Sequence, residues 1–388
     1  MSLITTTEDL AKFCARQADV EFVTVDTEFI REKTYWPQLC LVQVAGPGEV
    51  VAIDAMAEGL DLEPLYRLMT NPAVLKVFHA ARQDVEIFFH QSGKIPAPLF
   101  DTQIAAMVCG FGDSVSYETL VAKLANVRVD KSSRFTDWSL RPLTERQLAY
   151  ALSDVIHLRP AYDKLRRRLI KSGRAGWLDQ ETAILTDPAT YIIDPETAWQ
   201  RFKTRSSKPK FRSVLRELAA WREREARDRN QPRSRILRDE AVLEIAAHCP
   251  VTAEDLARVR SLGRSFAEGR QGAEVLAAVA RGLAAPEELC PNETFGGELP
   301  SGAAAVIELL RVLLKMKSDE HNVAVKLLAS SGDLEAIALD DHAHVPALSG
   351  WRREVFGKDA LALKHGALGL AISENRIKLV SLEASTGD

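Results

Sequence analysis

The amino-acid sequence predicts a mixed α/β domain, a sheet flanked by helices, followed by two small all-α domains. Strand-like and helix-like patterns alternate over roughly the first 125 residues, which favours a sheet packed between helices. Strand signals almost vanish from Ser116 onward. Two later helical segments of similar length follow each other, which is typical of a duplicated helical module.

The first three predicted strands form a meander. A β-branched strand over residues 20–25 leads into an acidic tripeptide, and a second strand covers residues 39–45. A Gly-Pro-Gly turn separates it from a third strand over residues 50–53. Short connections between consecutive strands predict antiparallel pairing.

The next elements alternate in type. A helix is predicted over residues 62–69, a strand over 74–78 and a helix over 83–91. Because helices that connect strands usually make parallel crossovers, we expect the sheet to become partly parallel here. Asp101 precedes an apolar run and is predicted to be the N-cap of another helix.

A longer helix is predicted to begin at Thr144. Thr144 and Gln147 have the spacing of a capping box, in which each side chain bonds to the backbone of the other. The apolar spacing extends this helix to about Ile170. Residues 186–195 contain two prolines and are predicted to be a linker.

The remaining chain is predicted to fold as two helical segments, residues 208–290 and 300–380, joined over 286–300. The two segments show weak similarity at an offset of 92 residues, at which Asn230 aligns with Asn322. Apolar residues at helical spacing match easily by chance. The equal lengths still favour duplication.

The composition excludes several classes of protein. The 388 residues have a net charge of −4, and no apolar run approaches the ~20 residues that cross a bilayer. The N-terminus does not resemble a secretory signal. Five scattered cysteines form no CxxC pair, so we expect a cytoplasmic protein without a membrane partner.

The near-neutral net charge conceals one basic stretch. Residues 201–240 contain 14 Lys and Arg against 6 Asp and Glu. Such a stretch either binds a polyanion or forms a solvated helix face, and the sequence leaves both interpretations open.

Acidic residues in three separate elements are the candidates for chemistry. Strand alternation places Asp26 and Glu28 on one face, about 6–7 Å apart, where two carboxylates suit a hard cation such as Mg²⁺. Asp84 lies in the first turn of a helix that follows a strand, and Tyr150 and Asp154 share a helix face at i, i+4 spacing. Taken singly, each is more often a solvated acid or a helix-dipole contact. Together they favour one site.

The three motifs resemble the DEDD superfamily of 3′→5′ exonucleases in its tyrosine-bearing branch, and most closely the ribonuclease D family. The residues that carry the resemblance are Val25-Asp26-Thr27-Glu28-Phe29, Phe78-His79-Ala80 through Asp84, and Tyr150 with Asp154. The resemblance implies an exonuclease domain of RNase H-like type over residues 1–195. It also implies two helicase-and-RNase-D C-terminal (HRDC) domains, over residues 208–290 and 300–380.

The resemblance further implies a role for each catalytic residue. Two divalent cations, Mg²⁺ with Mn²⁺ as an expected substitute, would be held by Asp26, Glu28, Asp84 and Asp154. Asp26 would be shared by both ions, and Glu28 and Asp154 would complete the ion that activates the attacking water. Asp84 would hold the ion beside the leaving 3′ oxygen. Tyr150 would orient the water, because a phenol with a pKa near 10 is a poor general base.

Substrate contacts are predicted from residue type and proximity to the motifs. Single-stranded RNA is usually held by aromatic stacking and by basic groups. The candidates are Thr27, Phe29, Gln38, His79, Lys131, Arg134 and Trp138. Tyr35 and Trp36 are further aromatic candidates, and each of these side chains is also compatible with simple packing.

The sequence therefore predicts a metal-dependent 3′→5′ exoribonuclease that releases nucleoside 5′-monophosphates. The expected substrate is RNA with a free 3′ hydroxyl, such as a tRNA precursor, and no obligate protein partner is expected. A DNA 3′→5′ exonuclease is an alternative, since proofreading nucleases share the same acids. A non-catalytic RNA-binding protein on a nuclease fold is another, although all four acids and the tyrosine are present. Because these five residues precede residue 155, a chain ending near Asp194 is expected to keep the chemistry. About 190 residues are also enough for an independent core, so this shorter chain is expected to fold alone.

Overall fold

The computed structural model describes residues 2–129, 136–204, 206, 208–286 and 300–382. Its central strands are β1 (Ser2–Ile4), β2 (Phe22–Ile30), β3 (Gln38–Gly46), β4 (Glu49–Asp54), β5 (Leu75–Phe78) and β6 (Leu99–Asp101). They form one sheet in the order β1-β4-β3-β2-β5-β6. The predicted meander is confirmed, because β2, β3 and β4 pair antiparallel. The parallel part is confirmed too, since β5 joins β2 and β6 joins β5 in parallel.

Strand β2 is longer than the sequence predicted. It continues through the acidic tripeptide to Ile30, with Asp26 opposite Gln43 and Glu28 opposite Leu41 of β3. Backbone pairing with β3 therefore holds the acids in an extended conformation. A bulge between Glu28 and Phe29 shifts the register immediately afterwards.

Helices cover the sheet and extend beyond it. They are α1 (Thr7–Arg16), α2 (Glu63–Thr70), α3 (Arg82–Ser92), α4 (Thr102–Val108), α5 (Tyr117–Leu124), α6 (Glu145–Ile156), α7 (Leu158–Ser172) and α8 (Trp177–Thr186). The capping box of Thr144 and Gln147 is confirmed at the start of α6, and Asp101 is the N-cap of α4.

The single helix predicted up to Ile170 is instead two helices, α6 and α7, divided at His157. The physical reason is Pro160, which has no N–H to donate to a carbonyl of the preceding turn. Proline is tolerated only in the first turn of a helix, and α7 begins two residues earlier.

The predicted linker over 186–195 is packed rather than free. It contains a 3₁₀ turn, Pro188–Thr190, and Tyr191 is buried with its hydroxyl donating to the Leu185 carbonyl at 2.7 Å. A second 3₁₀ segment, Pro195–Arg201, carries the buried Trp199. The prolines thus shape a connection that lies against the core.

Two helical modules follow. The first helical module, residues 208–286, contains α9 (Pro209–Asp228), α10 (Arg233–Ile236), α11 (Asp239–His248), α12 (Ala253–Ala257), α13 (Arg264–Ala267) and α14 (Arg270–Ala284). The second helical module, residues 300–382, contains α15 (Ala303–His321), α16 (Val325–Leu328), α17 (Ser331–Leu339), α18 (Gly350–Arg352) and α19 (Lys358–Lys364), with a π-helical turn over Arg353–Gly357.

The 92-residue offset seen in the sequence is also present in the structure. Helix α16 begins and ends 92 residues after α10, and α17 begins 92 residues after α11. Most of the predicted joint over 286–300 lies outside the described residues.

The second helical module is not purely α-helical, which corrects the all-α prediction. It ends in an antiparallel hairpin of β7 (Leu368–Ser373) and β8 (Arg376–Ser381). Glu374 and Asn375 both have positive φ, as a two-residue hairpin turn requires. Asn adopts this conformation readily. Asn375, placed between two segments that alternate apolar and polar residues, was therefore the sequence signal that could have indicated the hairpin.

The modules differ in how they join the nuclease domain. Tyr35 of the β2–β3 connection is buried in the core of the first helical module. The second helical module shares one continuous core with the nuclease helices, including Leu310, Leu313, Leu328 and Phe356 on its side and Val108, Leu120, Leu165 and Leu169 on the other. The described ranges contain no helix with the length and apolar character needed to cross a bilayer.

Candidate active site

A cleft of about 400 Å³ opens between the sheet and helices α5 and α6. Asp26 of β2 and Tyr150 and Asp154 of α6 line it on one side. His79, Gln103 and Tyr117 line it as well. The cleft therefore brings together residues from the three motifs that the sequence singled out.

Three carboxylates converge in this cleft. One oxygen from each of Asp26, Glu28 and Asp154 lies within 4.8 Å of the other two. Asp84 approaches from α3 and accepts a 2.5 Å hydrogen bond from the Thr27 hydroxyl. Its charge acts on Glu28, and the charge of Asp26 acts on Asp84. All four predicted acids thus belong to one electrostatic site, although Asp84 is not among the three closest.

Helix α6 is fixed to β2 beside the acids. The Thr24 hydroxyl, two residues before Asp26, donates to the Val155 carbonyl at 2.8 Å. On the other side of Asp154, the Tyr117 hydroxyl donates to the Ser153 carbonyl at 2.8 Å. The carbonyls on both sides of Asp154 are therefore held by other elements. We call this pair of bonds the Asp154 clamp.

The acids strongly disfavour one another's ionisation. Burial and the neighbouring Asp154 carboxylate raise the pKa of Asp26 well above its usual value. Burial and three neighbouring carboxylates raise the pKa of Glu28 to about 10. Burial and Asp26 likewise raise the pKa of Asp84. Such a set stays ionised only when a cation compensates its charge, and its ligands are all hard oxygens. The residues present therefore fit a divalent cation.

Tyr150 lines the cleft, and among the residues that the structure describes its hydroxyl has no hydrogen-bond partner. Burial, followed by Asp154 and the other acids, raises the pKa of Tyr150 above its ordinary value. The phenol accordingly keeps its proton near neutral pH and is suited to orient a bound molecule.

Two of the predicted substrate contacts lie at the site. Thr27 is buried and holds Asp84, so it acts through that carboxylate. His79 lines the cleft, and its Nδ1 lies 3.0 Å from the Thr102 hydroxyl oxygen. Burial lowers the pKa of His79. A neutral imidazole can form hydrogen bonds at the surface of the cleft, but it offers no positive charge to a phosphate.

Three other predicted contacts are not among the residues that line the cleft. Trp138 is 3% exposed and packs with Cys40, Ala52 and Leu152, so the ring has no open face on which a base can stack. Phe29 is partly buried and packs against the hydrophobic core that includes Val23 and Val25 of the same strand. Gln38 is an exposed residue at the start of β3, outside the cleft lining. Lys131 and Arg134 lie outside the described residues.

Tyr35 and Trp36 join the nuclease domain to the first helical module. The Tyr35 hydroxyl is bonded to Glu223 and Arg233 of the first helical module. The Asn230 side-chain oxygen accepts both the Tyr35 and the Trp36 backbone N–H at 3.1 Å. These partners are nearly 200 residues away in sequence, so no local pattern could have indicated them.

Sequence reasoning also missed the Asp154 clamp. Tyr117 and Thr24 carry no acid or base, and their role depends on bonds to a distant helix. The available signal for Tyr117 was its place directly after Ser116, an N-cap whose side chain accepts from the Thr119 N–H. That pattern predicts the start of a helix beside the cleft, without indicating the clamp.

Fold and site together define a 3′→5′ exonuclease. Residues 1–170 match the family model of a 3′→5′ exonuclease, and residues 211–279 match that of the HRDC domain. The chain is 56% identical to a ribonuclease D of Nitrobacter hamburgensis over 97% of this chain and 98% of that protein. It is 51% identical to a ribonuclease D of Granulibacter bethesdensis over 98% and 96% of the two chains. The chain belongs to the ribonuclease D family and is a 3′→5′ exoribonuclease.

A solved structure has the same architecture. The crystal structure of Escherichia coli RNase D, an exoribonuclease involved in structured RNA processing, superposes with a TM-score of 0.82 at 29% identity. The match covers 94% of this chain and 98% of that one. The similarity therefore includes the helical modules as well as the nuclease domain.

Proposed function

We propose that the enzyme releases nucleoside 5′-monophosphates one at a time from RNA with a free 3′ hydroxyl, using two divalent cations. The convergence of Asp26, Glu28 and Asp154 within 4.8 Å carries this proposal. These three residues and Asp84 would hold the cations, Mg²⁺ or Mn²⁺, because every donor is a carboxylate oxygen. When bound, such cations neutralise phosphate charge and lower the pKa of the attacking water.

The protein's own side chains position the attacking water, the carboxylates and the substrate. Tyr150, protonated because of its raised pKa, forms a hydrogen bond that orients the attacking water. Thr27 fixes the Asp84 carboxylate, and the Asp154 clamp fixes α6 relative to β2. His79, Gln103 and Tyr117, which also line the cleft, would contact the terminal nucleotide.

The substrates are structured RNAs, of which tRNA precursors are the expected example. The similarity to E. coli RNase D supports this choice. The second helical module is a second, diverged HRDC domain, as supported by its 92-residue correspondence with the first. A cytoplasmic location is supported by Cys14, Cys40, Cys109 and Cys249, which are all free thiols.

Polarity and metal dependence are tested together by digestion. A 5′-labelled RNA ending in a 3′ hydroxyl should shorten stepwise in Mg²⁺ and remain intact in EDTA. A 3′-phosphate should block digestion, because the terminal hydroxyl is expected near Thr27 and Glu28. A circular RNA should resist as well, and its cleavage would refute the exonuclease mechanism.

Asp26→Asn tests the metal site without relying on activity. The wild-type protein should be stabilised by Mg²⁺, by about 2.7 kcal/mol at a hundredfold excess over the dissociation constant. Asp26→Asn should lose both this stabilisation and hydrolysis, since the amide is isosteric but neutral. Retention of the full Mg²⁺-dependent thermal shift in Asp26→Asn would contradict the assignment.

A further inference from the structure

The basic stretch over residues 201–240 is only partly available to a ligand. Several of its cations are bound inside the protein: Lys210 donates to the carbonyls of Leu283 and Ala285, and Arg233 is paired with Glu223. Arg224 and Arg229 are paired with Glu196 and Glu225. These cations therefore act inside the protein and are not available to a ligand.

Five cations of the stretch are exposed and make no hydrogen bond or ion pair with any residue that the structure describes. They are Arg201, Lys203, Lys208, Arg235 and Arg238. An exposed arginine or lysine that is not held in an internal hydrogen bond or ion pair can turn its charged group toward an anionic ligand.

Four of these five come from two segments that meet at Arg222. The buried Arg222 guanidinium lies 4.8 Å from the centre of the Phe202 ring and donates to the Leu237 carbonyl at 2.9 Å. Arg201 and Lys203 flank Phe202 in sequence, and Arg238 follows Leu237. Asp239, the nearest acid in sequence, is already paired with Arg222 at 2.6 Å. Lys208 is excluded, because it lies about 20 Å along α9 from Arg222.

The cluster lies beside the connection that leaves the catalytic strand. Burial would raise the pKa of Glu223, but Arg233, Tyr35 and the charge of Arg201 hold it below its usual value. Trp199 and Phe202, on either side of Arg201 in sequence, share one hydrophobic core with Tyr35, so Arg201 lies near the place where the β2–β3 connection meets the first helical module. β2 carries Asp26 and Glu28.

The second helical module offers a contrasting charge distribution. Its described residues contain ten Lys and Arg against ten Asp and Glu, whereas the first contains sixteen against eleven. Many of its cations are paired internally, including Lys315 with Asp319, Lys317 with Asp359 and Lys364 with Asp341. Electrostatics thus favours the first helical module as the one that contacts a polyanion.

We propose that Arg201, Lys203, Arg235 and Arg238 form a phosphate-binding patch for the RNA backbone, upstream of the 3′ end held in the cleft. This inference rests on RNA being the substrate. The patch contributes affinity without sequence preference, since phosphate contacts carry no base information. Each contact releases counterions, so binding should weaken with salt.

The test uses two matched pairs of substitutions in the full chain, all in an Asp26→Asn background that spares the RNA. Arg235→Gln/Arg238→Gln removes two arginines from the patch. Arg260→Gln/Arg264→Gln removes two exposed arginines elsewhere in the same module. Binding of a 5′-labelled RNA hairpin with a single-stranded 3′ tail is measured at several salt concentrations.

The double substitution Arg235→Gln/Arg238→Gln should make the slope of log affinity against log salt shallower by about 1.4, because each lost phosphate contact on a single strand removes about 0.7. Arg201→Gln/Lys203→Gln should do the same, and the control pair should leave the slope unchanged. An unchanged slope in both patch pairs, with thermal melts showing intact folds, would overturn the patch. So would an equal loss in the control pair. Absence of RNA binding by the Asp26→Asn parent would count against the RNA substrate as well.

Discussion

Asp154 is held in place by hydrogen bonds to the backbone carbonyls of the residues before and after it in the chain. Its own side chain faces two other carboxylates, which repel it when all are ionised. Whenever two of these carboxylates are ionised together, their repulsion tends to push α6 away from β2. The clamp opposes that movement, because Thr24 and Tyr117 hold the carbonyls of Val155 and Ser153.

The two tyrosines of the cleft should respond differently to loss of their hydroxyls. Tyr150→Phe should lower kcat by about 10²-fold with little change in KM or stability, since it removes only the group that orients water. Tyr117→Phe should lower the free energy of unfolding by about 1 kcal/mol, because the Ser153 carbonyl keeps its bond from the His157 N–H but loses the one from Tyr117. Steady-state kinetics and urea unfolding of both variants separate these effects. A normal kcat in Tyr150→Phe would show that this tyrosine is structural.

Site residues could be predicted from the sequence when the residues that interact are close together in the chain, and not when they are far apart. Asp26 with Glu28 and Tyr150 with Asp154 follow from strand and helix periodicity over a few residues. The bond between Thr24 and Val155 spans 131 residues, and nothing local to either one marks it. Trp138 was ambiguous for a related reason, because an aromatic residue near a motif has the same local pattern whether it packs or stacks.

At the scale of elements, both long module helices end in the same way. Helix α9 is followed by Asn230 and α15 by Asn322, each in the left-handed conformation with φ near 50°. Asn230 accepts the backbone N–H groups of Tyr35 and Trp36. Asn322 packs on Gly110 of the nuclease domain, where an added Cβ would lie 2.3 Å from its carboxamide. The aligned asparagines therefore dock the two modules at different places on one domain.

Substitution of Asn230 tests this docking. Asn230→Ala should lower the free energy of unfolding by about 2–3 kcal/mol, since it leaves two N–H groups unpaired and strains a left-handed residue. Hydrogen exchange at the Tyr35 and Trp36 amides should accelerate. Asn230→Asp keeps the acceptor and the backbone tolerance, and should retain slow exchange. Fast exchange in both variants would mean that the carboxamide geometry matters, and unchanged exchange in both would contradict the docking role.

The elements themselves were predicted where one pattern dominated. The meander and the capping box at Thr144 follow from turn and capping residues that act locally. The break after α6 was missed because the apolar spacing continues across it. Pro160 requires a new helix to begin shortly before it, and the apolar spacing does not show this. The terminal hairpin was missed, because its strands are short and largely exposed, with Ile372 81% accessible.

At the scale of the whole molecule, the nuclease domain and the second helical module form one hydrophobic core. Trp177 of α8 and Trp351 of α18 stack across their boundary with ring centres 4.1 Å apart. The Ala324 N–H donates to the Met107 carbonyl at 3.0 Å. The expectation that a chain ending near Asp194 folds alone does not fit this arrangement, because such a chain would expose the shared face.

Adjacent leucines in α15 provide the test. Leu310 is fully buried in the shared core, whereas Leu309 is 47% exposed. Leu310→Ala should cost about 2–5 kcal/mol, and the nuclease should lose activity in urea at a correspondingly lower concentration. Leu309→Ala should leave that midpoint nearly unchanged. If Leu310→Ala disrupted the second module while nuclease activity kept its wild-type midpoint, the two parts would not be one cooperative unit.

The shared core also affects how the chain folds during synthesis. The nuclease helices that need covering are complete once α8 has left the ribosome, yet α19 emerges some 180 residues later. At about 5–20 residues per second, that interval lasts roughly 10–35 seconds. During it, the face around Val108, Leu165 and Leu169 stays bare on the nascent chain. This interval makes the partly synthesised enzyme a natural client for chaperones that bind apolar surfaces.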